Sequence, residues 1–465
     1  MIKLRDYQSN IINNVRALMY HGNKSILVQS PCGSGKTLLT AHMLKTASSR
    51  GKRSFFIVHR RELIKQSLDA FSLLGLKPGV ISSGWFEIKN SPIQIASIQT
   101  LSRRLNRYKV PDLVVWDEVH HVGAKTWGKV YEHFSGAYHI GLTATPCRLD
   151  GTGLDKWFSK MVSGPSVQWL IDNGFLSKYK IFAPGKIDTS SVHSRMGDYI
   201  TSELLAIVDR PTITGDAIKH YKKLCPGKRA IVFCVSIEHS KHVVEQFNAS
   251  GIPAEHIDGE TEKHQRDAAI KRFADGKTTI LSNVDLVGEG FDLPAIEAGI
   301  LLRPTQSLGM YIQQSGRALR PYPGKECAFI LDHAGNCQRH GLPCDDREWT
   351  LKGSKAKNKQ AESSVKIKTC PRCYAVQFSG REVCSYCGHE FDKSPRKVDY
   401  EDGNLVEVDL QKARRIRLTE QGKADSFEAL VALGRKRGYK RPFLWAKHVL
   451  NARKAREARE SSLSL

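Results

Sequence analysis

Short runs of β-branched and other apolar residues recur along the first part of the chain, at 26–29, 55–58, 93–97, 113–116 and 140–142. Between them the period changes. In TLLTAHMLKTA, directly after Lys36, apolar residues return at helical spacing. Strands alternating with helices predict a parallel sheet covered by helices on both faces. From residue 178 the pattern restarts, with strand candidates at 230–235, 254–257, 279–282, 298–302 and 328–331. The expectation is two α/β domains in tandem, 1–177 and 178–350. The stretch LKGSKAKNKQAESS that follows has almost no apolar residues and reads as the head of an exposed linker, 351–368. A cysteine-containing module at 369–391 and a basic, helical C-terminal region at 392–465 complete the expected order.

Composition narrows the function classes. The chain has 465 residues, 40% of them hydrophobic, enough for two or three domains at roughly 100–200 residues each. That excludes a disordered tail and a disulfide-stapled peptide. Lys and Arg number 71 against 47 Asp and Glu, a net +24. This balance favours a polyanionic partner, although a merely basic surface has the same composition. From 412 to 460 alone, 15 Lys and Arg face 5 Asp and Glu, a net +10. The opening MIKLRDYQSN is charged at Lys3, Arg5 and Asp6 and lacks the apolar run of a signal peptide. No run of about 18 apolar residues offers a membrane span. The 11 cysteines are odd in number, and Cys234 and Cys327 sit in apolar segments where a buried thiol is ordinary. The expected setting is reducing and cytoplasmic, with no membrane partner.

The strongest local signal is SPCGSGKT, formed by Ser30, Pro31, Cys32, Gly33, Ser34, Gly35, Lys36 and Thr37. It follows an apolar strand and opens a helix, the context a phosphate-binding loop requires. Backbone N–H groups of Gly33, Ser34 and Gly35 would cradle phosphate at the helix N-terminus. Lys36 would reach the β- and γ-phosphates of ATP, and the Thr37 hydroxyl would ligate Mg²⁺. The first position is Ser30 where the general pattern has Gly, and a Gly-rich turn without ligand remains the alternative for this loop alone. The second signal is LVVWDEVHH, about 80 residues further on, where a strand runs into Asp117 and Glu118. Asp117 can hold Mg²⁺ and Glu118 can orient the attacking water. Acids at a strand end are weak signals singly; behind a phosphate loop they become specific.

In order along the chain stand LRDYQ, SPCGSGKT, VHRRELIKQ, ASIQTL, DEVHH, LTATP, IVFCVSIEHS, LSNVDLVGEGFDLP and QQSGRALRP. This series resembles the superfamily-2, DEAD/DEAH-box-like helicases and translocases. The resemblance implies two RecA-like domains of the P-loop NTPase class with ATP in the cleft between them. It implies that Gln8 and Arg5 read the adenine base, and that Gly290 and Asp292 contact the nucleotide. It implies that His120, Thr143, Thr145 and Gln313 couple the nucleotide to the strand, with Arg317 and Arg320 as arginine fingers. Arg60, Gln99 and Thr100 fall in motifs that contact nucleic acid. TATPCRLDGTGL, LRPTQSLGMYIQQSGRALRP and ILDHAGNCQRHGLP bring the chain nearer to the bacterial and phage DNA-repair ATPases of the RadD type, and the segment from Phe427 resembles their C-terminus more loosely. The RNA-directed DEAD-box branch fits less well, because the acidic motif is DEVH and the preceding one VHRREL.

Cys370-x2-Cys373, ten residues, then Cys384-x2-Cys387 has the spacing of a four-thiolate Zn²⁺ site. Four thiolates leave no open position, so the role is structural. Free thiols, disulfides and an iron–sulfur cluster are the alternatives. In the tail, Tyr439, Phe443 and Trp445 interleave with basic residues. They read equally as base-stacking groups and as the core of a small helical domain. His333, His340, Cys337 and Cys344 read as ordinary structure. The function expected is an ATP-dependent DNA helicase or translocase acting in repair, recombination or replication, on single-stranded or branched DNA. A single-strand-binding protein is a candidate partner of the tail. An ATP-switched recruitment factor with little unwinding, an RNA helicase and a restriction motor are the other readings.

Overall fold

The computed structural model describes residues 3–122, 125–148, 151–183, 189, 191–195, 197–208, 211–284, 296–353 and 367–391, and beyond them 420–421, 424, 426–437 and short pieces between 442 and 453. Contacts divide the chain into Met1–Asp392 and Lys393–Leu465.

The first sheet has strands β1 (Ser25–Gln29), β2 (Ser54–Val58), β3 (Gly79–Ile81), β4 (Ile93–Ser97), β5 (Leu113–Trp116), β6 (Tyr138–Thr143) and β7 (Lys160–Ser163). They are parallel, in the order β3-β4-β2-β5-β6-β1-β7. The central strands are apolar on both faces because helices cover both, as in β2, where every residue is buried. β1 pairs with β6 from Ser25↔His139 to Gln29↔Thr143, so the loops leaving both strands emerge side by side. β3 and β7 are short edge strands with no counterpart among the expected ones; in β7 only Val162 is buried.

The second sheet takes β8 (Tyr179–Phe182), then, past a two-residue hairpin of β9 (Ser194–Arg195) and β10 (Asp198–Tyr199), β11 (Ala230–Phe233), β12 (Ala254–Ile257), β13 (Ile280–Asn283), β14 (Ala298–Leu301) and β15 (Ala328–Asp332). Its order is β12-β13-β11-β14-β15-β8, again all parallel. Two parallel sheets in tandem are the α/β class expected from the strand–helix alternation, and they agree with the RecA-like domains that the resemblance implies.

Two features lie outside the tandem-domain picture. After β15 the chain turns through Asn336–His340 and crosses to the first domain as a strap. Leu154 N–H donates to Leu351 O at 2.7 Å and Asp155 N–H to the same oxygen at 3.1 Å. Thr152 pairs with Gly353, and the Leu351 side chain joins the core under β5. Residues 351–353, read as the head of a linker, are therefore built into the first domain. The crossing needs bare backbone. A Cβ on Gly153 would strike Leu351 O, and one on Gly353, at φ +76°, would strike Gly151 O.

The four-cysteine module is the second. Its hairpin, β16 (Ile367–Thr369) and β17 (Val376–Phe378), is antiparallel. Ala375 bridges Phe182 of β8, and Ala183 N–H donates to Tyr374 O at 3.0 Å. Tyr386 meets the Phe182 ring edge-on at 5.1 Å, with Lys180 Nζ 4.8 Å from the Tyr386 centroid. The module covers the edge strand of the second sheet, a row of backbone groups that otherwise invites non-native pairing.

In Lys393–Leu465, the helix Phe427–Lys436 is capped by Ser426, whose hydroxyl accepts from Ala429 N. Leu430, Val431, Ala424 and Ala446 form a small core against which Trp445 packs, while Phe443 stays 57% exposed. Trp445 therefore belongs to this small core and Phe443 does not. Tyr439 and the basic run at 412–418 lie outside the described residues.

Gly353→Ala places a Cβ against the Gly151 carbonyl in a left-handed conformation. The expected loss is about 1–3 kcal/mol, read as a lowered thermal midpoint; an unchanged midpoint would show that the strap does not hold the first domain.

Candidate nucleotide site and four-cysteine centre

The loop after β1 is shaped by two glycines in left-handed conformation, Gly33 (φ +79°) and Gly35 (φ +80°). Ser34 is held inside it, its hydroxyl donating to Pro31 O and accepting from Ser30 Oγ, both at 2.7 Å. The helix Lys36–Ser49 starts at once, so Thr37 stands in its first turn. Lys36 Nζ reaches back to Ser30 O at 3.2 Å and Pro31 O at 3.4 Å.

The N-terminal helix Asp6–Tyr20 docks on this loop. Gln8 Nε2 donates to Ser34 O at 3.0 Å, and Tyr7 OH donates to the same oxygen at 2.7 Å. Gln8 Oε1 accepts from Arg5 N, fixing the amide's orientation, while the Arg5 guanidinium lies 4.5 Å from the Phe175 ring centroid. Arg5 and Gln8 therefore sit at the phosphate loop, beside an aromatic wall of Tyr7, which LRDYQ contains without an assigned role, and Trp169 and Phe175, which no motif includes.

Asp117 and Glu118 leave β5 facing that loop. Burial and the adjacent Glu118 hold the Asp117 carboxyl well above the usual carboxylate range, with Lys36 and His59 pulling the other way. Glu118 adopts a left-handed φ of +44°, rare for a residue with a side chain. Its carboxylate lies 3.5 Å from His120 Nδ1, which is 3.1 Å from Thr143 Oγ1. Thr143 Oγ1 donates to Thr145 O at 2.9 Å and accepts from Thr145 N. With its one proton used, that hydroxyl can only accept from the imidazole, which places the His120 proton on Nδ1. Thr145 Oγ1 in turn lies 3.2 Å from where a Cβ of Gly309 would stand. The three coupling candidates of the first domain thus form one line from the acids to the helix Leu308–Ala318 of the second domain.

That helix carries Gln313 and Arg317, both buried, and ends just before Arg320. Its Gly316 gives room to Cys32 of the phosphate loop, and Arg320 Cγ lies 3.6 Å from the Cβ position of Gly33. Lys325, more than half buried, donates to the carbonyls of Ala318, Arg320 (2.8 Å) and Ile296 (2.8 Å), tying down the end of the helix. Gly290 and Asp292 lie outside the described residues. Arg60 stands at the N-cap position of the helix Arg61–Ser72, just past the end of β2, without a side-chain capping bond. Gln99 and Thr100 stand at the end of neighbouring β4, with Gln99 donating to His59 O at 2.8 Å. These three share the carboxyl-end face of the sheet with the acids and the phosphate loop, where ligands bind in such folds.

The acidic strand is anchored from behind. Trp116 Nε1 donates to His139 Nδ1 at 3.0 Å, and His139 Nε2 donates to Phe134 O at 3.0 Å. Burial pushes the His139 pKa down to about 4. No motif marks this lock.

The four cysteine sulfurs lie within 4.8 Å of one another. Cys370 and Cys387 are separated by 3.7 Å and Cys373 and Cys384 by 3.6 Å. Thiolates about 2.3 Å from one tetrahedral ion stand roughly 3.8 Å apart, so the arrangement fits a single ion and not disulfides. The two knuckles are alike: Tyr374 N–H donates to Cys370 O and Gly388 N–H to Cys384 O, each fifth residue left-handed at φ +61° and +70°. The other histidines and cysteines go elsewhere, His340 Nε2 to Thr305 O at 2.9 Å and Cys344 Sγ to Tyr179 OH at 2.9 Å.

Comparison with known proteins agrees with this geometry. The family described as the type III restriction enzyme res subunit matches residues 1–148, and the helicase conserved C-terminal domain matches 216–322. The chain is 35% identical over 367 residues to a 51.5 kDa protein of a Lactococcus phage, covering 78% of each. It is 30% identical to the Saccharomyces cerevisiae protein called putative ATP-dependent helicase IRC3, over 71% of this chain and 51% of that one, so it spans about half of that relative's length. A fragment structure of a putative HsdR subunit of a type I restriction enzyme from Vibrio vulnificus shares the fold, with a TM-score of 0.58 at 23% identity, over 73% of this chain and 66% of that chain.

The His139 lock carries a pH signature. In the unfolded chain a histidine titrates near 6.5, whereas His139 in place titrates near 4. Between these values the unfolded state binds more protons, so this residue weakens stability as pH falls, by at most about 1.4 kcal/mol per pH unit. His139→Gln keeps an acceptor and a donor without the titration. Denaturant melts from pH 6.5 to 4 should show a shallower loss of stability in the variant; identical slopes would rule the lock out.

Proposed function

Because the chain belongs to the superfamily-2 helicase family, whose members hydrolyse ATP, we propose that it is a DNA-directed motor of the DNA-repair type. The observation that carries the ATP-driven part of the reading is the approach of Arg320, from the second domain, to Gly33 of the phosphate loop; the DNA-repair part rests on the resemblance of the motifs. Lys36 leaves its two loop carbonyls for the β- and γ-phosphates. The backbone of Cys32 to Gly35 wraps the phosphates, and Ser30 and Pro31 shape the loop's entry. Gln8 and Arg5 hold the base against the Phe175 side of the site. Glu118 orients the attacking water and takes its proton, with His120 linking that carboxylate to Thr143 and Thr145. Arg317 and Arg320 stabilise charge on the γ-phosphate oxygens as it develops. Thr37 and Asp117 would hold Mg²⁺ through hard oxygens, and the ion would supply charge neutralisation at the phosphates. Gly290 and Asp292 complete the nucleotide contacts from the second domain, and Gln313 couples the nucleotide to the strand. Arg60, Gln99 and Thr100 face the nucleic acid.

The chemistry of the second centre favours Zn²⁺: four thiolates around one ion, with no open position. It is a structural ion, and what it holds in place is the cover over β8. The net positive C-terminal unit suits DNA phosphates or an acidic partner peptide such as one from a single-strand-binding protein. The strap at 351–353 favours one further reading, an ATP-switched clamp with little unwinding, because a second tie between the domains limits how far they part.

Lys36→Ala and Glu118→Gln should abolish ATP turnover, and Arg320→Ala should lower it by roughly 10³-fold or more. Near wild-type rates in any of them would remove that residue from the site. Turnover measured with single-stranded, duplex and forked DNA and with RNA separates the readings: stimulation mainly by RNA overturns the DNA assignment, and stimulation without strand displacement favours the clamp. Native protein should carry about one zinc per chain, and stripping it should lower the thermal midpoint. Metal-free protein with reduced thiols and an unchanged midpoint would overturn the zinc assignment.

A further inference from the structure

On the β3 edge of the first domain, away from the nucleotide, two exposed features meet. The connection from β3 to β4 turns at Gly84 (φ +82°) and presents Trp85, 43% exposed, and Phe86, 88% exposed. Phe86 lies almost wholly in water and Trp85 keeps over two-fifths of its surface there, and two adjacent aromatics in water carry a hydration cost that a partner would relieve. Beside this loop, a pocket of about 310 Å³ is lined by Ser102, Arg103, Arg104, Arg107, Lys129 and His133 among others, with no carboxylate in its wall. Arg103, Arg107, Lys129 and His133 are exposed. Arg104 joins the two features: it pairs at 3.4 Å with Glu87, the residue after Phe86, whose side chain is only 17% exposed. That pair spends the loop's one acid on Arg104 and leaves Arg103, Arg107 and Lys129 without an acidic partner among the described residues.

We infer that this flank is a second site for single-stranded nucleic acid, in which Trp85 and Phe86 stack on bases while Arg103, Arg107 and Lys129 hold phosphates. Exposed aromatics beside a carboxylate-free basic pocket are the two components by which proteins hold single strands without sequence preference. A duplex offers no free base faces for the rings, and an acidic peptide would have no use for two flat ones. The site is also continuous with the motor face. The helix Ile98–Ser102 carries Gln99 and Thr100 in its first turn and ends at the pocket's rim, a length of about 7 Å at 1.5 Å per residue. A strand leaving the carboxyl ends of β2 and β4 reaches the pocket within one or two nucleotides. The inference rests on the nucleic-acid reading above and adds where the strand goes when it leaves the motor face. Tertiary packing alone creates the site, from segments that no motif connects.

The test is fluorescence anisotropy of a labelled oligo-dT and of a blunt duplex of equal length, without nucleotide, across a salt series. Two double variants are compared, Trp85→Ala with Phe86→Ala, and Arg103→Ala with Arg107→Ala; Trp85→Phe with Phe86→Tyr serves as the conservative control. Thermal midpoints and the ATPase rate without nucleic acid should match wild type in all three. The alanine pair in the loop should weaken oligo-dT binding about 10- to 100-fold, and the conservative pair should restore it. The arginine pair should weaken binding and flatten the slope of log affinity against log salt by about 1.4, or 0.7 per lost contact. Unchanged affinity and slope in both alanine pairs, with wild type binding the oligomer, overturns this site and leaves the motor reading intact. Losses confined to the arginine pair, and equal on the duplex, overturn the single-strand assignment. Failure of the wild-type protein to bind any nucleic acid overturns the nucleic-acid reading itself.

Discussion

The close backbone approach at Ser34 and Gly35 is the constraint from which the rest of the site follows. With no Cβ on Gly35, the Gln8 amide comes within hydrogen-bond reach of Ser34 O. A Cβ there would lie 2.6 Å from Gln8 Nε2, and one on Gly33 would lie 2.8 Å from Leu176. Three distant parts of the chain therefore converge on one turn: the first helix, the end of the first domain, and Arg320 of the second. Lys36 is already placed by the same turn, its ammonium on two backbone carbonyls. In the function proposed above, Lys36 exchanges those partial charges for the full charges of phosphate, which strengthens each contact without stripping a free, fully hydrated cation.

Once the turn is set, the remaining question is how a change at the phosphates reaches the second domain. The line from Glu118 through His120, Thr143 and Thr145 to Gly309 offers discrete contacts that can be made or broken, with little room for continuous deformation. At the far end, Lys325 ties the arginine-bearing helix to the carbonyl of Ile296. Burial lowers its pKa to about 8, a measure of how dry that end is. The strap at Leu351 acts on the loop that follows Thr145, so both domain ties bear on one short stretch, 143–154.

How much of this could be read beforehand depends on what fixes each residue. The phosphate loop and the two acids were legible because the chemistry demands particular side chains at fixed local spacing. The central strands were legible because burial on both faces writes a continuous apolar run. β7 was not, since KMVS at an edge buries one residue and has no pattern to detect. The Trp116–His139 lock and the Trp85–Arg104 flank were invisible for a different reason. Each joins segments about 20 residues apart through one tertiary contact, and nothing local marks either half. In the tail, Phe443 and Trp445 are two residues apart and equally aromatic, yet only the small core around Leu430 determines which is covered.

The four-cysteine module makes the same point in its geometry. Its two knuckles are near-copies, yet the left-handed fifth position is Gly388 in one and Tyr374 in the other. Tyrosine there carries a backbone penalty of about 1–2 kcal/mol that glycine avoids. Tyr374 sits edge-on at 5.4 Å from His220, and its carbonyl accepts from Ala183 at the end of β8. A freely tethered finger would gain nothing from that residue. The strained position is intelligible only if the knuckle is shaped to dock, with the thiol cluster sharing the core formed by Phe182, Ala230 and Phe329. The four-cysteine centre then belongs to the second domain, as a cover over the edge of its sheet. Its loss should be felt in the domain that carries the arginines before it is felt in any contact with nucleic acid.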